Sequence, residues 1–187
     1  MATPGDARQV AEIYGPVVAG TPISFELDPP SAPEMERRIA GVLGFAPWIV
    51  FEEGGLVAGY AYASRHHERA AYRWSVDVSV YVRDGLRRSG VGRALYGSLF
   101  SLLRLQGFCA AHAGITLPNQ ASVRLHESFG FRPVAVFPRV GFKLGAWHDV
   151  GYWQLELRER TGEPPALLTV EELRRAAGFS EALAAGA

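Results

Sequence analysis

The chain has 187 residues, 48% apolar and 20% charged, enough for one domain with a sizeable core and too few for two of ordinary size. Lys plus Arg and Asp plus Glu balance at 19 each, so no global field favours nucleic acid or a membrane surface, and any anion must be held by a local cluster. The single cysteine, Cys109, excludes an intramolecular disulfide and a multi-cysteine metal site; without a basic leader or a membrane-length apolar run, the expectation is a cytoplasmic, metal-free domain.

Val10, Ile13, Tyr14, Val17 and Val18 recur at helical spacing, with Asp6 placed to cap. Ser31 and Glu34 form a capping-box pattern before a second helix carrying Met35, Ile39, Val42 and Leu43. Residues 48–52 and 56–63 read as strands joined by a hairpin at Glu53, Gly54 and Gly55. Residues 74–82 make the clearest strand. Trp74, Val76, Val78, Val80 and Val82 take one face, and Ser75, Asp77, Ser79 and Tyr81 the other; Arg73 shares the parity of Asp77.

The turn Arg-Arg-Ser-Gly-Val-Gly (87–92) leads into a helix carrying Leu95, Leu99, Leu102, Leu103 and Leu105, with Gly107 as its stop. A strand at 108–115, a short helix at 119–129 ending at Gly130, and strands at 131–140 and 150–157 follow. Beyond Thr161 the chain is Pro-rich and offers one small helix capped by Thr169 and Glu172. This order predicts a mixed α/β sheet with a right-handed parallel crossover in a domain at 1–160, followed by a tail at 161–187.

Glycines at a strand-to-helix junction let backbone N–H groups converge on an anion, and the helix N-terminus adds partial positive charge. Gly90 and Gly92 supply the close approach; Arg87, Arg88 and Arg93 add charge that can bridge phosphate oxygens. The spacing is neither that of a dinucleotide fold nor that of a P-loop, and by itself it also suits a tight turn with solvated arginines.

R-x-x-G-x-G directly after Val80, Tyr81 and Val82 resembles the pyrophosphate-binding motif of the GNAT acetyltransferase superfamily. The resemblance implies a mixed, mostly antiparallel sheet with a splayed parallel strand pair, flanked by helices. It also implies acetyl-CoA held by Val80, Tyr81, Val82, by the turn Arg87, Arg88, Ser89, Gly90, Val91, Gly92 and Arg93, and by Asn119. The segments 71–82, 114–131 and 141–155 are similar to the phosphinothricin and methionine-sulfone acetyltransferases, which implies a small amino-acid-like amine substrate and a homodimer contacting through Trp147, Tyr152 and Trp153. Ile23, Ser24 and Phe25 match a substrate-loop pattern of that branch. Three places depart from it: Asp77 stands where Glu is usual, Gly15–Pro16 where Asn-His is usual, and Met1 stands almost directly before Ala2 and Thr3, where a short strand is usual.

Aminolysis of a thioester needs a neutral amine, and a positioned carboxylate or imidazole in the cleft can drain the proton. Asp77 on the polar strand face and His126, which shares a helix face with Asn119 and Ser122, are the candidates, expected on one proton path. Each has a plainer alternative as a satisfied structural residue. Arg73 can pair with a substrate carboxylate beside Ser75, and Phe25 and Tyr72 can form apolar wall. The N–H of Val80 is the expected oxyanion donor. Tyr96 suits either the cleft or the core. His66, His67 and His112 carry no ligand spacing; Lys143 is a candidate to reach the cofactor or a neighbouring subunit. Two other functions remain open on these residues: acetylation of protein N-termini or other amines, and an acyl-CoA sensor without catalysis.

Overall fold

Strand alternation and two tight hairpins organise the chain around a six-stranded sheet of order β1-β2-β3-β4-β6-β5 in a computed structural model describing residues 1–186. The strands are β1 (Trp48–Glu53), β2 (Leu56–Arg65), β3 (Ser75–Val82), β4 (Ala110–Leu117), β5 (Arg132–Lys143) and β6 (Ala146–Glu156). The helices are α1 (Ala7–Gly20), α2 (Ala32–Leu43), α3 (Val91–Gln106), α4 (Gln120–Ser128), α5 (Val170–Arg175) and α6 (Phe179–Ala184). Every neighbouring strand pair is antiparallel except β3–β4, which is parallel because α3 carries the chain back across the sheet. This is the mixed α/β architecture expected from the element order.

Gly54 and Gly55, at φ 59° and 80°, make the β1–β2 turn. The β5–β6 hairpin is longer than expected. Leu144 and Gly145, at φ 52° and 78°, form a two-residue turn, so residues 141–149 extend both strands instead of separating them. Lys-Leu-Gly-Ala lacks the Asn-Gly or Asp-Gly signal by which such a turn is usually read.

Two cores result. On one sheet face Val76, Val78, Ala111 and Leu155 pack against Leu95, Leu99, Leu102 and Leu103 of α3. On the other, Val10, Tyr14, Val17, Met35 and Ile39 of α1 and α2 cover Trp48 and Tyr60. The alternation along β3 therefore puts Val76 and Val78 toward α3, and Asp77, Ser79 and Tyr81 toward α1. Asp6 does not cap α1; its carboxylate accepts the N–H and hydroxyl of Thr3, at 2.7 and 2.9 Å, closing a 3₁₀ turn at Pro4–Asp6. Ser31 does cap α2, accepting from Glu34 N–H at 3.3 Å, while the Glu34 side chain turns to Arg37 and Arg38.

The chain beyond residue 160 holds two short helices in place of the one expected, and both lie on α3. Leu173 is fully buried in the α3 core. The Gln106 amide donates to the carbonyls of Phe45 and Leu168 at 2.8 and 2.9 Å, and Ser98 donates to that of Leu183 at 2.7 Å.

Candidate active site

The cleft begins where β3 and β4 part company. They pair only at Ser75–Ala110, Val76–Ala111 and Asp77–His112; beyond that β3 follows β2 and β4 follows β6. The carbonyl of Trp74 accepts from Cys109 N–H at 2.9 Å on the β4 side, and the N–H of Arg83 bonds Ala58 on the β2 side. Backbone alternation between these anchors turns Val78, Val80 and Val82 toward the departed β4. Their N–H and C=O groups are an open strand edge, which an extended amide-bearing arm can pair with.

Above this edge sits a cavity of about 410 Å³, lined by Val80, Tyr81, Val82, Arg87, Arg88, Gly90, Gly92, Arg93 and Asn119, with Val17, Ile23 and Leu125 as apolar wall. Gly90, at φ 95°, brings the chain onto the helix axis. The first helical acceptor bond of α3 is Ala94 N–H to Gly90 at 2.9 Å, so the N–H groups of Val91, Gly92 and Arg93 lie free at a helix N-terminus. Gly59 makes this geometry possible: a Cβ there would meet the Tyr81 carbonyl at 2.8 Å and Val91 Cγ1 at 2.9 Å, so only glycine lets α3 start this close to the sheet. The side chains of Ser89 and Val91 do not reach the cavity. Ser89 donates to the Leu86 carbonyl at 2.6 Å and Val91 is buried in the core, so both contribute backbone alone. Asn119 Oδ1 caps α4, accepting from Ser122 N–H at 3.1 Å, and leaves the amide nitrogen to the cleft.

The floor of the cleft is a narrower space of about 70 Å³ bounded by Ser79, Thr116, Asn119, Ser122, Tyr96 and His126. His126 is buried, with Nδ1 2.8 Å from the Ser122 carbonyl and Nε2 2.9 Å from the Tyr96 hydroxyl. A carbonyl only accepts, so Nδ1 carries the hydrogen and Nε2 accepts from Tyr96. Burial lowers the imidazole's basicity against the opposing pull of the Ser122 carbonyl, and burial raises the Tyr96 hydroxyl well above its ordinary range. Both are neutral at pH 7. Tyr96 is thus both core and cleft, and its hydroxyl bonds His126 Nε2.

Asp77 lies on the opposite sheet face, beside the start of the splay. Its Oδ1 is 2.9 Å from His66 Nδ1; burial raises the carboxyl, and the hydrogen bond and charge of His66 work against that. No hydrogen bond joins this pair to His126 among the described residues, so the single proton path expected from sequence divides into two networks.

The substrate candidates disperse. Arg73 is not in β3: it ends the 3₁₀ turn at Ala70–Tyr72 in helical conformation, and its guanidinium stacks on Trp74 at 4.1 Å, so strand parity does not aim it at the cleft. Ser75 opposite Ala110 is partly buried where the strands are still paired. Tyr72 is exposed beside His67, with centroids 4.7 Å apart. Phe25 lies over Gly141, where a Cβ would come within 2.2 Å of its ring, while its neighbour Ile23 lines both parts of the cleft. Lys143 is buried and spans β5 to the substrate loop, donating to the carbonyls of Val18 and Ser24 at 2.5 and 2.7 Å, so it is committed within its own chain. Tyr14 reinforces the same loop, donating to Glu26 at 2.8 Å and pairing with Ser24 at 2.7 Å; Arg38 grips Glu26 at 2.8 and 3.0 Å. Ile23 is marked by the loop pattern it shares with Ser24 and Phe25, but no local spacing announces the Glu26–Arg38 pair or His66. Their partners lie on other elements.

Residues 1–151 match the family described as an acetyltransferase (GNAT) domain. The chain is 38% identical over 153 residues to the phosphinothricin N-acetyltransferase of Streptomyces viridochromogenes, covering 82% of this chain and 84% of that one. It is 35% identical over 159 residues to the L-methionine sulfoximine/L-methionine sulfone acetyltransferase of Salmonella typhimurium, covering 82% and 91%. The solved GNAT phosphinothricin acetyltransferase of Sinorhizobium meliloti in complex with AcCoA superposes with TM-score 0.84 at 35% identity, covering 88% of this chain and 90% of that one. The chain therefore belongs to the GNAT family of acetyltransferases.

Proposed function

We propose that this protein transfers the acetyl group of acetyl-CoA to the amine of a small amino-acid-like substrate, of the phosphinothricin, methionine sulfone or methionine sulfoximine kind. The open β3 edge beside the free α3 N-terminus carries the reading: it offers paired amides to pantetheine and N–H groups with arginines to pyrophosphate. The sequence relatives are named for acetylating such amino-acid analogues. A thiol-release assay with acetyl-CoA and a panel of free amino acids, including those three, against N-terminal peptides tests it; turnover of peptides alone would displace it.

Direct attack on the thioester removes two protons from an ammonium substrate, one before attack and one from the nitrogen of the tetrahedral adduct, and returns one to sulfur. The Asp77 network takes the first. Tyr96 oxygen accepts the second while its own proton passes to His126 Nε2, and the reverse shift delivers a proton to the leaving thiolate. The Val80 N–H, facing the splay, supports the developing oxyanion. Retention of both networks speaks against a sensor without catalysis.

The active form is a homodimer in the cytoplasm, where acetyl-CoA is made and used. Val136, Phe137, Val140, Phe142, Leu144 and Trp147 on the β5–β6 hairpin are each at least half exposed, an apolar surface that a second copy can cover. Of the aromatics expected there, Trp147 is the exposed one, its ring 5.4 Å from Phe142; Tyr152 packs on Phe137 at 4.9 Å and Trp153 is buried, donating to Glu127 at 3.3 Å.

A further inference from the structure

Asp77 has a partner that plays no part in holding acetyl-CoA. Ser64 faces Asp77 across β2–β3, and His66, just past the end of β2, falls on the same sheet face. Its Nδ1 is 2.9 Å from Asp77 Oδ1. The ring lies flat on His112, which is paired with Asp77 from β4, with centroids 4.1 Å apart and planes 14° apart. His67 at 4.5 Å and Tyr72 at 6.1 Å close its edges. These are the titratable groups around it: Asp77 from β3, His112 from β4, Tyr72 from the turn before β3, and His67 alongside. His112 is pushed down to about 4, first by burial and then by His66, Arg160 and His67, so the stacked neighbour is neutral and does not repel a charge arriving on His66.

An ionised carboxylate only accepts hydrogen bonds, so Asp77 holds His66 in the tautomer with hydrogen on Nδ1 and the lone pair on Nε2. The same division of labour makes an imidazole a base in carboxylate–histidine pairs elsewhere. We propose that His66 Nε2, and not the Asp77 carboxylate, receives the proton of the substrate ammonium. An N–H bond of the ammonium breaks and its electron pair stays on the amine. Through one water an N–H bond forms on Nε2, giving an imidazolium that Asp77 stabilises, and the proton leaves to solvent from a side chain 24% exposed. Asp77 is then a positioning residue.

The inference rests on the acetyl-transfer reading, and the full-length enzyme with acetyl-CoA and its best amine tests it. His66→Asn puts an amide nitrogen near the position of Nδ1, keeping the bond to Asp77 while removing Nε2. The expected result is a fall in kcat/KM for the amine of ~10²–10⁴-fold and loss of the acidic limb of the pH–rate profile. In His66→Gly, added free imidazole restores the rate in proportion to its concentration. Desulfo-CoA affinity, measured by calorimetry in each variant, reports an intact cofactor site. Wild-type rate and pH profile in His66→Asn, or no imidazole rescue in a His66→Gly protein that binds desulfo-CoA normally, would overturn the assignment while leaving the activity standing. A wild-type enzyme that acetylates no amine sinks both.

Discussion

The Tyr96 hydroxyl lies 2.9 Å from His126 Nε2, and the other ring nitrogen lies 2.8 Å from the Ser122 carbonyl, so the accepting nitrogen of the imidazole is coupled to the cleft through the tyrosine. Tyr96→Phe and His126→Ala therefore break one relay. Each should lower kcat by ~10²-fold, and the double variant should lose little more than either alone. Asp77→Asn belongs to the other network, and its loss should add to that of His126→Ala. Steady-state kcat for these three single variants and the doubles Tyr96→Phe/His126→Ala and Asp77→Asn/His126→Ala decides; strong coupling between Asp77 and His126 would restore a single path.

Gly92 marks the pyrophosphate position. A Cβ there meets Leu125 at 3.5 Å and Val82 at 3.6 Å, which are ordinary contacts, so Gly92→Ala should fold and bind. Gly92→Asp adds a carboxylate at a helix N-terminus, which helps the helix and repels phosphate. Desulfo-CoA should bind at least ~10-fold more weakly, about 1.4 kcal/mol, with an unchanged melting temperature. Unchanged affinity in the folded variant would remove the cofactor assignment.

His112 makes folding pH-dependent. Its pKa falls from 6.5 in the unfolded chain to about 4 in the folded one, chiefly through burial. Between those values only the unfolded chain binds the proton, so stability present above pH 6.5 is lost as pH falls toward 4. His112→Val should flatten the melting temperature across that window, leaving the part due to His126, which is lowered in the same sense. Asp77 is shifted upward and acts oppositely, its contribution being lost as pH rises above its unfolded value of 3.8. An unaltered acid limb in His112→Val would count against a neutral buried ring.

Light scattering at micromolar concentration should give the mass of two chains. Phe142→Asp together with Trp147→Asp places charge on the exposed hairpin and should yield monomers that remain folded. A wild-type protein that is monomeric would leave the hairpin without the proposed partner.

The segment after residue 160 should matter for stability and little for chemistry. Leu173→Ala empties a fully buried site against α3 and should cost about 2–5 kcal/mol in urea unfolding, with KM for acetyl-CoA unchanged in the protein that remains folded. A cost below about 1 kcal/mol would mean that the segment is only loosely attached.

Local pattern carried much of the fold and the glycine turn at the α3 N-terminus. The alternation from Ser75 to Val82, the glycines at 90 and 92 and the leucine spacing of α3 are each written within a few neighbouring residues, because strand faces, helix faces and helix N-termini are short-range geometry. Partners on separate strands and loops are not written that way. Asp77 meets His66 because the β2–β3 register sets Ser64 opposite it, and Arg73 loses the parity of Asp77 because the 3₁₀ turn at Ala70–Tyr72 delays the start of β3 to Ser75. Tyr96 stands at ordinary core spacing on α3, and only the docking of α4 aims His126 at its hydroxyl. Sequence determined which chemistry the chain can carry; register and helix docking, set by burial on both faces of the sheet, decided which residues share a hydrogen bond.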